Sequence, residues 1–314
     1  MLTSSDLMFP WHLGATLYTP ATHPDLAARW SGEQRDDSRS MVACLEDAIL
    51  EQDTDQALVN VQSALRSFKK SRQLRFLRPR NPEVLRRLLE LDGIEQISGF
   101  VLPKVNSHTF GPYRRILDEA RLAKRFWLMP TLETAETFNK VDLRALREQL
   151  EVEQDRVLCL RIGGNDLLNQ IGMRRPKHKT IYHTPLYATI CNLVQMFRPA
   201  NFHLTAPVFE YLDRMDLLEE EVEQDLLHGL TCKTAIHPRQ LRVIEAKYDV
   251  HVHDLESAKA ILAPDAPAVF ALHGAMNEPA THRRWAEQVI IRARLYGVFG
   301  PRGSQNAVSE DDEG

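Results

Sequence analysis

Eight short apolar runs recur along this chain, each followed by a polar stretch with helical periodicity. The runs are Gly14–Tyr18, Ser40–Leu45, Leu74–Arg78, Gly99–Leu102, Phe126–Thr131, Val157–Ile162, Asn201–Thr205 and Lys233–Ile236. The segments between them carry amphipathic faces. Pro82–Leu91 sets Val84, Leu85, Leu88 and Leu89 against Glu83, Arg86, Arg87 and Glu90, and Asp142–Glu153 and Asp216–Leu227 follow suit. Eight strand–helix units are what a (β/α)8 TIM barrel needs; a doubly wound open sheet is the competing architecture. The expected organisation is a barrel over residues 1–245 and a C-terminal helical cap or arm over 246–302, the latter with helices Arg239–Tyr248 (straddling the boundary), Leu255–Leu262 and Pro279–Tyr296. A disordered acidic tail is expected over 303–314.

Composition narrows the function. With 43% hydrophobic and 26% charged residues in 314, the chain can bury a sizeable core. A net charge of −4 gives no general attraction to nucleic acid or anionic membrane. No apolar run reaches the roughly 18 residues of a membrane span, and Met1–Pro10 lacks the form of a signal peptide, so a cytoplasmic protein is expected. Cys44, Cys159, Cys191 and Cys232 have no metal-like spacing and read as free thiols.

The residues just past each run are where a barrel does chemistry. They are Glu46 and Asp47 after the second, Arg78, Arg80 and Asn81 around the end of the third, and Lys104 after the fourth. Glu133 follows the fifth, Asn165 and Asp166 the sixth, and His237 the eighth. Carboxylates on neighbouring strand ends, Glu133 and Asp166, can share a hard cation such as Mg²⁺; the bland reading has them capping the following helices. A guanidinium can grip a substrate carboxylate bidentately, which suits Arg78, while Arg80 faces a phosphate or caps the surface. The loop Arg174-Arg175-Pro-Lys177-His178-Lys179 reads equally as a phosphate site, for coenzyme A or another phosphorylated substrate, and as a salt-bridged patch. His178 and His183 read as neither ligand nor base, and His237 as a turn residue.

Seven strings occur in one order: Thr16–Leu26 (TLYTPATHPDL), Cys44–Ile49 (CLEDAI), Phe76–Asn81 (FLRPRN), Gly99–Val105 (GFVLPKV), Met129–Thr134 (MPTLET), Gly163–Gly172 (GGNDLLNQIG) and Lys233–Leu241 (KTAIHPRQL). Together they resemble the β-subunit of citrate lyase and its relatives, the malyl-CoA and citramalyl-CoA lyases and the 2-keto acid aldolases. The resemblance spans roughly residues 14–245 and implies a (β/α)8 barrel with Mg²⁺ held at Glu133 and Asp166; Mn²⁺ would serve almost as well. It further implies that Arg78 binds a keto-acid carboxylate, with Glu46 and Asp47 positioning metal-bound water or Arg78.

Three departures stand out. The family's Arg-x-Asn is stretched to Arg78-Pro-Arg80-Asn81, and its Gly-Ala-Glu-Asp reads Gly163-Gly-Asn-Asp166. Gly274-Ala-Met-Asn-Glu278 resembles a segment that places a catalytic aspartate over a neighbouring active site, but Asn277 and Glu278 stand there. The resulting expectation is a Mg²⁺-dependent carbon–carbon lyase or aldolase. It would join or cleave a 3-hydroxy acid or its CoA thioester with an oxaloacetate-, glyoxylate- or pyruvate-like keto acid. Arg78, Arg80, Lys104, Arg174 and Arg175 would bind the substrate. The resemblance also suggests a homo-oligomer, a trimer being one form. Alternatives are the same barrel acting on a phosphorylated, non-CoA metabolite, a metal-dependent phosphoryl-transfer enzyme, and a non-catalytic metabolite-binding descendant.

Overall fold

The computed structural model describes residues 8–31, 38–69, 72–120 and 122–301, and the expected tail at 303–314 lies outside them. Eight strands form one parallel sheet: β1 (Ala15–Pro20), β2 (Ser40–Cys44), β3 (Leu74–Arg78), β4 (Gly99–Leu102), β5 (Trp127–Leu132), β6 (Leu160–Ile162), β7 (Leu204–Thr205) and β8 (Lys233–Ala235). β1 pairs with both β2 and β8, and a bridge between Ala206 and Lys233 joins β7 to β8. The open sheet is thereby ruled out in favour of a nearly closed TIM barrel.

Among the described residues, nine α-helices of this unit follow the strands: α1 (Leu26–Ser31), α2 (Thr54–Arg66), α3 (Pro82–Leu89), α4 (Phe110–Glu119), α5 (Lys140–Glu151), α6 (Gly164–Gln170), α7 (Leu186–Phe197), α8 (Met215–Leu227) and α9 (Pro238–Glu245). α3 shows how the local sequence builds one. Asn81 caps it, its side chain accepting from the Val84 N–H at 2.9 Å, and Pro82 occupies the first turn. Val84, Leu85, Leu88 and Leu89 are buried on its inner face. Leu85 is fully buried, so truncation to Ala would cost about 2–5 kcal/mol.

β2 and β4 are buried at every position, which explains why they read as continuous apolar runs rather than alternating ones. Gly99, paired with Trp127, permits the close approach of β4 to β5: a Cβ there would lie 1.9 Å from the Trp127 carbonyl oxygen. The sixth and seventh strands are shorter than the apolar runs suggest. Only a bridge from Val157 to Leu128 precedes β6, and Asn201, at φ 65°, still belongs to the turn after α7.

The chain divides between Lys247 and Tyr248. The C-terminal unit contains β9 (Val250–His251), α10 (Val252–Leu262), a hairpin of β10 (Phe270–Leu272) and β11 (Ala275–Asn277), α11 (Pro279–Tyr296) and β12 (Val298–Phe299), which pairs with β9. Its small core joins Val250, Ala258, Ile261, Ala286 and Val289. Among the described residues no helix is long and apolar enough to cross a membrane, and all four cysteines are free thiols.

Candidate active site

A cavity of about 500 Å³ opens among residues at and beyond the strand ends of the barrel. Asp47, Arg78, Glu133, Asn165 and Asp166 line it, with Tyr18, Thr131, Arg161 and Thr234 among the others. Each acid or base arrives on its own element: Glu46 and Asp47 past β2, Arg78 at the end of β3, Lys104 past β4, Glu133 past β5. Asp166 stands in the first turn of α6 rather than directly on the strand end.

Arg78 is the hub. Its Nη2 lies 2.8 Å from Glu46 Oε2 and 2.9 Å from Glu133 Oε1, and 3.9 Å from Asp47. Burial works against the cation, but Glu133 first, followed by Tyr18, Cys44 and Glu46, more than offsets it. Its Nε is buried and has no acceptor among the described residues.

Lys104 closes the cluster from two directions. Its backbone N–H donates to Glu133 Oε1 at 2.8 Å, and its ammonium to Glu46 Oε1 at 2.5 Å and Asp47 Oδ1 at 3.4 Å. The residue has φ 52°, a left-handed conformation uncommon outside glycine. That conformation aims the amide at Glu133, as strained backbone at functional sites does.

Glu133 is 2% exposed. Burial pushes its carboxyl up to about 7, opposed by Arg78 and reinforced by the charge of Asp166. Asp166 is raised by burial and then by Asp47. Glu46 is also raised by burial, against the pull of Arg78 and Lys104. Asp47, half exposed, is held below its usual range: burial opposes this, but hydrogen bonding with Glu46 and the charges of Lys104 and Arg78 prevail.

The donor set fits a hard divalent cation: Glu133 is raised by burial and by the charge of Asp166, and Asp166 by burial and by Asp47, the condition that a dication relieves. Gly163 makes the room, because a Cβ there would lie 2.4 Å from Glu133 Oε2. The next glycine, Gly164, clears Pro207. Among the described residues no three His, Cys, Asp or Glu side chains are already arranged around a metal position.

Several expected site residues are committed elsewhere. Arg80 donates its Nη2 to the carbonyls of Glu46 at 2.9 Å and Ile49 at 2.7 Å, so it braces the loop after β2 instead of reaching for a ligand. Arg175, expected to bind substrate, is buried at 2% exposure with its guanidinium on Glu221 and the Val208 carbonyl. It belongs to a buried network in which Lys233 also meets Glu221 at 2.9 Å and Asp225 at 2.8 Å. Arg174 pairs with Glu210 and Lys177 with Asp213, so three of the loop's cations already face acids. His178 meets Arg214, His183 meets Thr180, and His237 caps α9 by accepting from the Arg239 N–H. In the C-terminal unit, Asn277 donates to the Ala275 carbonyl and Glu278 accepts from Thr281. Sequence reading missed Arg161, Tyr18, Thr131 and Thr234; a charge in the middle of the apolar run Val157–Ile162 was the available signal for Arg161.

A parallel eight-stranded barrel with this acid-and-guanidinium cluster at its carboxyl mouth defines a TIM-barrel enzyme. Residues 7–298 match the family described as C-C_Bond_Lyase of the TIM-barrel fold, and the chain belongs to it: the protein is a carbon–carbon bond lyase. Solved structures of similar fold include citrate lyase proteins. CitE from Mycobacterium tuberculosis, in complex with magnesium, acetoacetate and coenzyme A, is 17% identical, with 90% of this chain and 98% of that one covered and a TM-score of 0.66. A citrate lyase from Burkholderia xenovorans LB400 is 17% identical over 96% and 97% of the two chains, with a TM-score of 0.71. RipC from Yersinia pestis is 20% identical over 74% and 94%, with a TM-score of 0.56. No curated protein matches the chain in sequence.

Proposed function

We propose that this lyase makes or breaks a carbon–carbon bond of a 2-keto acid whose carboxylate meets Arg78, with Mg²⁺ held by Glu133 and Asp166. The observation that carries the reading is the position of Arg78. It lies against Glu46 and Glu133 in the cavity that Asp166 also lines, and its buried Nε lacks an acceptor among the described residues. The similar CitE structures are complexes with magnesium and pyruvate, and with magnesium and acetoacetate, which supports both halves of the proposal.

When bound, the cation withdraws electron density from an adjacent keto oxygen and stabilises the negative charge that develops as the bond breaks or forms. The protein's own residues prepare that site. Glu46 and Lys104 fix Arg78 and Glu133 in place, so a substrate carboxylate meets a guanidinium whose geometry is already set. Asp47, ionised and half exposed at the rim, is placed to orient water. Burial of Glu133 excludes competing solvent.

A second reading concerns the acyl partner. The coenzyme A complex of the M. tuberculosis protein favours a thioester. The pairing of Arg174, Arg175 and Lys177 with Glu210, Glu221 and Asp213 favours a free acid, since those cations carry acidic partners already. Calorimetry with Mg²⁺ and oxaloacetate on wild type and on the Glu133→Ala/Asp166→Ala double variant tests the core proposal. Metal-dependent keto-acid binding that the double variant loses is the expected result; keto-acid binding indifferent to Mg²⁺ and to both acids overturns it. Turnover of CoA thioesters against free hydroxy acids then separates the two acyl readings.

A further inference from the structure

A second guanidinium lies deeper in the same cavity. Arg161, the middle residue of β6, lines it and is 3% exposed. Its strand register pairs it with Thr131 on β5, two residues before Glu133, so it sits roughly 6–7 Å further into the barrel than the proposed metal ligand.

The partners it contacts directly are neutral. Nη2 donates to Thr234 Oγ1 on β8 at 2.6 Å, and Nη1 to Met129 Sδ on β5 at 3.5 Å. The guanidinium carbon stands 5.3 Å from the centre of the Tyr18 ring on β1. No carboxylate among the described residues forms an ion pair with Arg161, whereas Arg78 in the same cavity has three. The two arginines are therefore not duplicates: one is neutralised by the protein and the other is not.

A buried cation without a counter-ion is costly to maintain, and partial compensation by a hydroxyl, a thioether and a ring does not supply a charge. The hydroxyls around it point to what does. Thr131 Oγ1, 5% exposed and lining the cavity, has no hydrogen-bond partner among the described residues. Thr205 Oγ1, on the strand paired to Arg161 from the other side, is likewise unpartnered. Hydroxyls and a guanidinium share one capacity, donation to anionic oxygen. An anion satisfies both and also supplies the missing charge.

We propose that Arg161, with Thr131 and Thr234, forms a second anion site beneath the catalytic carboxylates, and that the substrate is a dianionic acid whose far carboxylate reaches it. The identity of the near end rests on the keto-acid reading above; the anion site does not. Arg161 acts as a specificity-determining residue: it selects the keto acid bearing a second charge from one without it.

Calorimetry on wild type, Arg161→Gln and Arg161→Lys tests this with pyruvate, oxaloacetate and succinate, each with and without Mg²⁺. Wild type is expected to bind oxaloacetate about tenfold or more tightly than pyruvate, the worth of one charge-assisted hydrogen bond. Arg161→Gln, whose amide can still meet Thr234, brings that ratio close to one, and Arg161→Lys retains part of it. A ratio that Arg161→Gln leaves unchanged, or no preference in the wild type, overturns the proposal. Succinate separates the two readings: binding that is weakened by Arg161→Gln but indifferent to Mg²⁺ keeps the anion site while removing the metal-assisted keto-acid reading. Failure of all three acids to bind overturns the anion site as well. Thermal melts of each variant establish that a lost preference is not lost folding.

Discussion

Lys104 donates its backbone N–H to Glu133 Oε1 at 2.8 Å from a left-handed conformation, φ 52°. A non-glycine residue held there costs about 1–2 kcal/mol, which the cluster tolerates because a carboxylate without water needs a donor. Lys104→Gly keeps the amide and relieves the strain, but withdraws the ammonium from Glu46. Thermal stability is expected to stay within about 1 kcal/mol of wild type, while keto-acid binding falls about tenfold. A large drop in Tm with unchanged binding would assign the ammonium a purely structural part.

Gly163→Ala addresses the same carboxylate from the opposite side. The added Cβ would lie 2.4 Å from Glu133 Oε2, so the carboxylate must move. Overpacking of this kind costs about 1–3 kcal/mol. Mg²⁺ affinity is expected to fall at least tenfold, by calorimetry, because the displaced atom is a proposed ligand. Undiminished Mg²⁺ binding would exclude Glu133 as the ligand.

The raised carboxyl of Glu133 makes stability depend on pH. Its folded value of about 7 lies above the ordinary 4.5, so the folded state binds this proton more tightly than the unfolded state does. The contribution is fully present below pH 4.5 and is lost as pH rises through 7. In chelator-treated protein, Glu133→Gln is expected to match wild type at low pH and to exceed it by roughly 1–3 kcal/mol above pH 7.5. Denaturation curves across pH 4–8 report this directly; wild type gaining on the variant as pH rises would show Glu133 ionised throughout. Proton competition at the same carboxylate should also weaken Mg²⁺ binding below pH 7.

Glu221 holds two buried cations, Arg175 and Lys233. Burial opposes its ionisation, but those two charges keep its carboxyl below the usual range. Glu221→Gln removes the counter-charge for both and is expected to cost about 3–5 kcal/mol in urea denaturation. A loss below 1 kcal/mol would mean that Asp225, which also meets Lys233, compensates by itself.

The strand positions were legible because buried parallel strands read as short apolar runs, and each of the eight runs starts or ends within one residue of an observed strand boundary. Helix faces were legible for the same reason: burial imposes a period, as in Val84, Leu85, Leu88 and Leu89 of α3. The strand ends of β5 and β6 pointed to Glu133 and Asp166, which the barrel brings to one cavity. The motif order, read against a known family, supplied the chemistry.

What a charged residue faces was a different matter. Arg80 and Arg175 were expected, like Arg78, to bind substrate, yet one braces backbone carbonyls and the other is buried on Glu221, 46 residues further along the chain. Arg161 lay inside an apolar run and drew no notice until β5, β6 and β8 placed it among neutral partners in the cavity. By itself the sequence determined the strand–helix alternation, its helical faces and the acids past its strand ends, because those depend on hydrophobic period and local order along the chain; closure of the sheet into a barrel came from the pairing of β1 with both β2 and β8. Only the tertiary structure decided which arginines are spent and which remains without a counter-charge, because the energy of a charge depends on what surrounds it, and its neighbours come from distant strands.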